Sequence, residues 1–199
     1  MKRQLLFISV CLFVLNYTSA EIPFNDYNVA PTDMALSSTN INENESSGTT
    51  VGALSTTDAD SGDTFTYTLV SGIGDTDNAS FSIVGSNLLS TASFDHETKG
   101  SYLIRVRTTD SNNLFYEEAF TIIVNDVNEI PTDSALSSTD IDENETSGTI
   151  VGALSTTDID DGDTFTYNLV AGTGDTDNAS FSISGSNLLS GASFDHEAK

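Results

Sequence analysis

Apolar and polar residues alternate along three stretches in the first half of the chain, and this period of two predicts half-buried β-strands. The stretches are residues 64–70, 102–107 and 120–124. The apolar face carries Phe65, Tyr67 and Leu69 in the first stretch, Tyr102, Ile104 and Val106 in the second, and Phe120, Ile122 and Val124 in the third. No stretch repeats apolar residues every 3.6 positions, so we expect no helix of appreciable length.

Four shorter segments complete the predicted strands. They are residues 35–38, 49–54, 81–84 and 88–90, and they are separated by Gly, Asp, Asn and Ser residues that favour turns. Seven short strands in about 100 residues are typical of an antiparallel β-sandwich. We therefore predict an all-β chain made of Greek-key β-sandwiches of about seven strands.

The chain contains an internal duplication with a period of 100 residues. Residues 31–99 align without a gap with residues 131–199, and 13 of the 69 aligned pairs differ. An Asp-x-Asn segment precedes both copies, at residues 26–28 and 126–128. A repeat of this length predicts tandem domains rather than the turns of a solenoid. We call residues 31–129 the first repeat and residues 130–199 the second repeat, and residues 21–30 form a lead-in.

The second repeat is shorter than the first. Residues 100–130 hold two of the predicted strands and the following linker, and they have no counterpart after Lys199. We therefore expect a second repeat that lacks its C-terminal strands, and a chain that is the start of a longer protein.

Residues 1–20 have the pattern of a secretory signal peptide. Lys2 and Arg3 precede an apolar run over residues 5–15, and Thr18-Ser19-Ala20 supplies a small-residue cleavage site. The run has 11 residues, whereas a membrane-spanning helix needs roughly 20. We therefore expect a secreted or cell-surface protein with no membrane insertion within this segment of chain.

The charge of the chain excludes several classes of partner. The formal net charge is −24, and the residues after the predicted signal peptide carry 30 acids, four bases and no cysteine. Nucleic-acid binders need a basic surface to neutralise phosphates, and anionic membranes repel so acidic a chain. An acidic secreted domain without disulfides is suited to stabilisation by a bound cation, and calcium is a hard cation that prefers carboxylate oxygens.

Four acidic clusters recur in loops or at strand ends. They are Glu43-Asn44-Glu45, Asp58-Ala59-Asp60, Asp95-His96-Glu97 and Asp126-Val127-Asn128-Glu129. Each one alone is also compatible with a solvated turn. Together they favour a calcium site, because a calcium ion takes about six to eight oxygen ligands.

Other chemistries are less well supported by the sequence. Residues 158–163 resemble an EF-hand loop, but the glycine comes one position early and Leu169 stands where the loop needs its last glutamate. His96 and His196 are the only histidines, one in each repeat, so a zinc site is not favoured. No catalytic motif lies in a fitting context, and we expect no enzymatic activity.

In their order and spacing the acidic motifs resemble those of the cadherin repeat. The resemblance spans residues 25–199 and includes Phe94-Asp95-His96-Glu97, Thr109-Asp110 and the linker that ends at Pro131. It implies calcium bound at the boundary between two repeats. The implied ligands are Glu43, Asp95 and Glu97 of the first repeat, Asp126, Asn128 and Glu129 of the linker, and Asp158 and Asp160 of the second repeat, with Glu45 as an extra candidate.

Two further partial sites follow from the resemblance. Asp58, Asp60 and Asp110 would face Asp26 and Asn28 of the lead-in, while Glu143, Asp195 and Glu197 would need a further linker. The boundary linker has Glu129 and Ile130 where Asp and Asn are usual in animal members of the family, which leaves the coordination number open.

The resemblance implies calcium-dependent adhesion between cells or between a cell and a matrix. The expected partners are calcium and other cell-surface proteins, a second copy of the chain, or polysaccharide. A second interpretation stays open, in which the repeats are a non-adhesive spacer or a carbohydrate-binding module of a larger secreted protein. The chain has no tryptophan, so the exposed tryptophan used by many animal cadherins for strand exchange is absent.

Overall fold

The computed structural model describes residues 27–198, and the predicted signal peptide lies outside this range. The described residues form twelve β-strands and three short 3-10 helices, Asn78–Ser80, Asn178–Ser180 and His196–Ala198. None of the helices in this range is long and apolar enough to cross a membrane. The prediction of an all-β fold is confirmed.

The first repeat is a sandwich of two four-stranded sheets. One sheet has the order β1-β3-β6-β5 and the other has the order β2-β8-β7-β4. The strands of the first sheet are β1 (Asp33–Leu36), β3 (Thr50–Thr57), β5 (Phe81–Val84) and β6 (Asn87–Ser90). Those of the second are β2 (Asn40–Asn42), β4 (Thr66–Leu69), β7 (Ser101–Thr109) and β8 (Phe115–Asn125).

The core of the first repeat lies between these two sheets. The alternation predicted for the longest strands is observed, since Ile104, Val106, Ile122 and Val124 are fully buried. The remaining buried apolar residues are Met34, Ile41, Val51, Leu54, Phe81, Leu88 and Phe94. Burial of these side chains is the main favourable contribution to the free energy of folding.

The first repeat has eight strands, one more than the seven segments identified from the sequence pattern. Strand β2 was missed because it has only three residues and one apolar side chain, Ile41. It forms because it pairs in parallel with the end of β8, where Ile41 lies opposite Val124. This short pairing brings the loop after β2 to the boundary between the repeats.

The second repeat contains a single sheet within the described residues. Its order is β11-β12-β10-β9. The strands are β9 (Asp133–Leu136), β10 (Ile150–Thr157), β11 (Phe181–Ser184) and β12 (Asn187–Ser190). The incompleteness of the second repeat stays a prediction.

Two segments of the second repeat are irregular although their counterparts in the first repeat are strands. Residues 166–169 nearly repeat the sequence of β4, but they have no regular structure, and neither do residues 140–142, the counterpart of β2. In the first repeat β4 pairs with β7 and β2 pairs with β8. Without such partners the same residues stay irregular, because a strand needs a neighbour for its backbone hydrogen bonds.

Candidate metal centre

Glu43 lies at the end of the first repeat that adjoins the linker. It is almost completely buried, with 3% of its surface exposed. Its Oε1 accepts a hydrogen bond from the backbone N–H of Val127 at 2.7 Å, and its Oε2 accepts one from the backbone N–H of His96 at 2.7 Å. The backbone N–H of Glu43 donates to the carbonyl oxygen of Asn125 at 3.1 Å, which continues the β2–β8 pairing. One carboxylate thus joins the β2 loop, the residue 94–97 turn and the linker.

Asn44 fixes the conformation of the loop that carries Glu43. Its φ is 60°, a left-handed conformation that Asn adopts more readily than most residues. Its backbone N–H donates to the carbonyl oxygen of Phe94 at 3.0 Å. Its side-chain amide donates to Oε1 of Glu129 in a short hydrogen bond. The loop therefore contacts the linker directly.

Three glutamates from different segments meet at this boundary. Oxygens of Glu43, Glu97 and Glu129 lie within 4.8 Å of one another. Loss of hydration raises the pKa of Glu129; the Asn44 amide opposes this, while Glu43 and Asp160 raise the pKa further. For Glu97, its own backbone N–H lowers the pKa, but loss of hydration and the charges of Glu43 and Asp126 outweigh it and raise the pKa. These carboxylates repel one another.

Asp126 and His96 form an adjacent cluster with Glu97, also within 4.8 Å. The Nδ1 of His96 is 2.8 Å from the carbonyl oxygen of Val124, which places a proton on that nitrogen. This hydrogen bond, opposed by loss of hydration and supported by Asp126, Glu97 and Glu43, raises the pKa of His96. The histidine is thus surrounded by negative charge.

The second repeat contributes Asp160 to the boundary. Its Oδ2 accepts a hydrogen bond from the backbone N–H of Glu129 at 2.7 Å. Oxygens of Asp158, Asp160 and Asp163 lie within 4.8 Å of one another. Asp163 is not among the ligands predicted from the sequence, since the Asp-Gly-Asp segment that contains it has the composition of an ordinary turn.

Several carboxylate oxygens at this boundary have no hydrogen-bond partner although they are shielded from solvent. They are Oε2 of Glu129, Oδ2 of Asp158 and Oδ1 of Asp160. Burying an ionised oxygen without a partner costs free energy, so such atoms are expected to face a cation.

Two predicted ligands are occupied by other contacts. The carboxylate of Asp95 accepts hydrogen bonds from the backbone N–H and the hydroxyl of Thr98, at 2.8 and 2.9 Å. These bonds hold it against its own turn and lower its pKa. The side-chain amide of Asn128 donates to the carbonyl oxygen of Glu129 at 2.7 Å, and Asn128 is otherwise exposed.

The donor set fits calcium. Calcium–oxygen bonds are about 2.3–2.6 Å long, so oxygens that share one ion lie up to about 5 Å apart, as in the glutamate cluster. The donors of Glu43, Glu97 and Glu129 are all carboxylate oxygens, which suit a hard cation better than zinc. The unpartnered oxygens of the linker and of the second repeat agree with this.

Similar clusters lie at the two outer ends of the repeats. Oxygens of Asp58, Asp63 and Asp110 lie within 4.8 Å of one another, and so do those of Glu143, Asp195 and Glu197. The lead-in reaches the first of these clusters, where the side-chain amide of Asn28 donates to Oδ2 of Asp110 at 2.9 Å. Val29 donates its backbone N–H to Oδ2 of Asp60 at 2.7 Å.

Comparisons with known proteins identify the fold. No protein-family model matches the chain, and no curated protein matches it. Solved structures do match, among them human protocadherin-24 EC1-2, with a TM-score of 0.63 and 18% identity over 86% of this chain and 82% of that one. The protocadherin gamma B4 extracellular domain matches with a TM-score of 0.55 and 24% identity, over 86% of this chain and 29% of that one.

The extracellular cadherin domains 1–4 of protocadherin gamma B7 match with a TM-score of 0.54 and 24% identity, over 86% of this chain and 44% of that one. This chain has the cadherin-like repeat fold. It spans less than half the length of the gamma B4 and gamma B7 structures. The first cadherin-like repeat holds the complete sandwich, and its end carries the glutamate cluster.

Proposed function

We propose that the chain is an extracellular, calcium-binding cadherin-like repeat protein without enzymatic activity, in which the boundary between repeats binds calcium and thereby becomes rigid. On this proposal it supports calcium-dependent adhesion to cells or to a matrix. The single observation that carries the proposal is Glu129, whose backbone contacts Asp160 of the second repeat while its carboxylate lies beside Glu43 and Glu97 of the first.

The charge of the boundary explains why a cation would change its mechanical behaviour. Seven of the eight proposed ligands are carboxylates, and four of them, Asp126, Glu129, Asp158 and Asp160, belong to the linker and the second repeat. Like charges at this spacing repel, and they favour conformations in which the repeats separate. A divalent cation would supply the positive charge that lets these carboxylates stay together.

Calcium binding is tested by calorimetric titration and thermal unfolding of the chain, in EDTA and in calcium. We expect saturable binding and a higher melting temperature in calcium, because a ligand that binds only the folded state stabilises it. Magnesium at equal ionic strength is the control for general screening of charge. No saturable binding and identical melting curves would contradict the proposal.

Adhesion is tested separately with beads that carry the purified chain. Aggregation that needs calcium and is reversed by EDTA supports adhesion through copies of the chain. Capture of polysaccharide by non-aggregating beads would instead support the carbohydrate-binding alternative. Calcium binding with neither behaviour would support the spacer interpretation.

A further inference from the structure

The outward face of the β2-β8-β7-β4 sheet in the first repeat carries exposed apolar side chains. On β7 and β8 they are Leu103, Phe115 and Ile123, which are 42%, 51% and 39% exposed. Leu103 lies opposite Thr121, and Ile123 is the next outward residue of β8, so Leu103 and Ile123 are diagonal neighbours. A sheet face in water is expected to be polar, and apolar side chains that cluster there indicate a contact surface.

The outward face of the other sheet of the same sandwich is different. Its exposed large apolar side chain is Val84, on the edge strand β5. The exposed residues of β1 and of the second half of β3 are small or polar: Asp33, Ala35, Ala53, Ser55 and Thr57. The apolar character of the β7–β8 face is therefore specific to that side of the first repeat.

The β7–β8 face also differs from the rest of the molecule in charge. Within residues 27–198 the only Lys or Arg residues are Lys99, Arg105 and Arg107, and both arginines occupy outward positions of β7. Glu117 is the only acid at an outward position of β7 or β8. This face therefore carries a small positive charge, whereas the chain as a whole has a formal net charge of −24.

Glu117 holds both arginines in place. Its Oε2 accepts hydrogen bonds from Nε and Nη2 of Arg105 at 3.1 and 3.0 Å, and its Oε1 accepts them from Nε and Nη2 of Arg107 at 2.8 and 2.6 Å. Nη1 of Arg105 donates to the carbonyl oxygen of Ile73 at 3.1 Å. Cζ of Arg107 lies 4.2 Å from the centroid of the Phe115 ring. The face is ordered before it meets a partner, which lowers the entropic cost of binding.

Charge favours a second copy of the chain as the partner on this face. Both arginines are already paired with Glu117, so the face does not require an anionic partner. Two copies of so acidic a chain repel each other over most of their surfaces, but two β7–β8 faces meet without excess negative charge. At 0.15 M salt the Debye length is about 8 Å, so carboxylates farther than this from the contact contribute little.

The size of the face fits a weak, specific contact. Strands β7 and β8 have nine and eleven residues, and a strand rises about 3.4 Å per residue with neighbours about 4.8 Å apart. Together with the shorter β2 and β4, the face offers roughly 500 Å² per copy, or about 1,000 Å² per dimer. This area lies at the low end of specific interfaces, where transient contacts are found.

We propose that the outward face of the β2-β8-β7-β4 sheet binds the same face of a second copy of the chain. Leu103, Thr121 and Ile123 lie at the centre of this contact, and the paired Arg107 and Phe115 lie toward one end. The contact is closed, because both copies use the same patch. The inference goes beyond the function proposed above, since the face contains no residue of the acidic clusters and the dimer does not need calcium.

The test is sedimentation equilibrium of the chain over a range of concentrations, in EDTA and in calcium. We expect a reversible equilibrium between monomer and dimer in both. The association constant should rise about twofold or more between about 50 and about 500 mM NaCl, because salt screens the repulsion between like-charged copies. A contact between the basic face of one copy and an acidic surface of another would weaken with salt instead.

Thr121→Glu tests the face itself. Thr121 is exposed, so the substitution adds a charge to the contact without removing a core side chain. We expect the association constant to fall about tenfold or more, because like charges then meet across the two-fold axis. Leu103→Glu should have the same effect. The matched control is Val84→Glu, which adds the same charge at an exposed position of the other sheet and should change association less than about twofold.

Three outcomes would overturn the proposal. In the first, the chain stays monomeric at every concentration reached. In the second, Val84→Glu weakens the dimer as much as Thr121→Glu does. In the third, the association constant falls as salt rises, or the dimer forms only in calcium. Calcium binding by a chain that stays monomeric would leave the calcium-binding part of the function proposed above standing, so the two proposals fail separately.

Discussion

The backbone N–H of Glu129 donates to Oδ2 of Asp160 at 2.7 Å, and this bond joins the linker to the second repeat. The other oxygen of Asp160 has no hydrogen-bond partner. One oxygen of this carboxylate is thus held by the linker, and the other is available to bind a cation. A substitution can therefore remove the charge offered to the cation and keep the hydrogen bond to Glu129.

Asp160→Asn should abolish most of the calcium response while preserving the fold. The Asn carbonyl oxygen can still accept the bond from Glu129, but one negative charge is lost. We expect calcium affinity to fall about tenfold or more, which corresponds to about 1.4 kcal/mol or more. Calorimetric titration measures the change.

The matched control is Asp140→Asn, which removes the same charge and restores the residue of the first repeat, Asn40. Asp140 is exposed and lies outside the acidic clusters. Equal losses of calcium affinity in both variants would mean that net charge, rather than ligation by Asp160, controls binding.

Thr98→Ala should strengthen calcium binding at the boundary. The Thr98 hydroxyl donates to Oδ2 of Asp95 at 2.9 Å, and the counterpart in the second repeat is Ala198, beside an Asp195 that does lie in an acidic cluster. Removing the hydroxyl releases one Asp95 oxygen, and we expect affinity to rise by about twofold to fivefold. The gain should disappear in the double variant Thr98→Ala with Asp95→Asn. A gain that persists there would exclude Asp95 as the cause.

The sequence predicted the fold of the first repeat well, because its long strands have clear alternation and a buried face. It failed where structure depends on a partner. Residues 66–69 and 166–169 are nearly identical in sequence, yet only the first segment forms a strand, because only it lies beside β7. Strand β2 was missed for the same reason, since its three residues are a strand only through pairing with β8.

For the candidate metal centre, the sequence motifs indicated which segments meet at the boundary. They did not indicate which contacts the individual carboxylate oxygens make there. The sequence indicated Glu43, Glu97 and Glu129, and the structure brings their oxygens together. It could not indicate that the Thr98 hydroxyl would hold Asp95, because that depends on side-chain conformation within a turn. Whether calcium occupies the boundary is still a prediction.

Glu117 and Glu118 are neighbours on β8 with opposite electrostatic environments. Hydrogen bonds from Arg107 and Arg105, opposed by loss of hydration, lower the pKa of Glu117. A lowered pKa means that ionised Glu117 stabilises the fold above the ordinary pKa of 4.5, and that this contribution is lost as pH falls through the lower folded-state value. Glu117→Gln should therefore reduce stability at neutral pH, and the difference from wild type should shrink in acid.

Glu118→Gln is the paired variant, with the opposite sign. Burial, followed by the charge of Asp33, raises the pKa of Glu118, so its ionised form costs stability at neutral pH. We expect this variant to be as stable as wild type or more stable at neutral pH, with the advantage lost in acid. Urea unfolding at several pH values measures both effects, and parallel destabilisation by the two variants would contradict these assignments.

Leu88 and Leu188 occupy equivalent positions in the two repeats and differ in burial. Leu88 is fully buried between two sheets, whereas Leu188 is only half-buried. Leu88→Ala should lower the free energy of unfolding of the first repeat by about 2–5 kcal/mol, and Leu188→Ala should cost the second repeat less than about half of that. Amide exchange in β3 measures the free energy of unfolding of the first repeat, and amide exchange in β10 measures that of the second. Equal costs would mean that the second repeat buries Leu188 in solution.

The distance between the two repeats tests the central claim most directly. Two spin labels are attached to cysteines introduced by Val84→Cys and Ser184→Cys, which are equivalent, exposed positions on β5 and β11. Cys11→Ser removes the cysteine of the native sequence, so that only these two positions are labelled. Pulsed electron spin resonance then gives the distribution of distances between the labels. We predict a broad distribution in EDTA that narrows to a single distance in calcium, and no narrowing when Asp160→Asn is added. Distributions of equal width in EDTA and calcium would contradict a boundary made rigid by calcium.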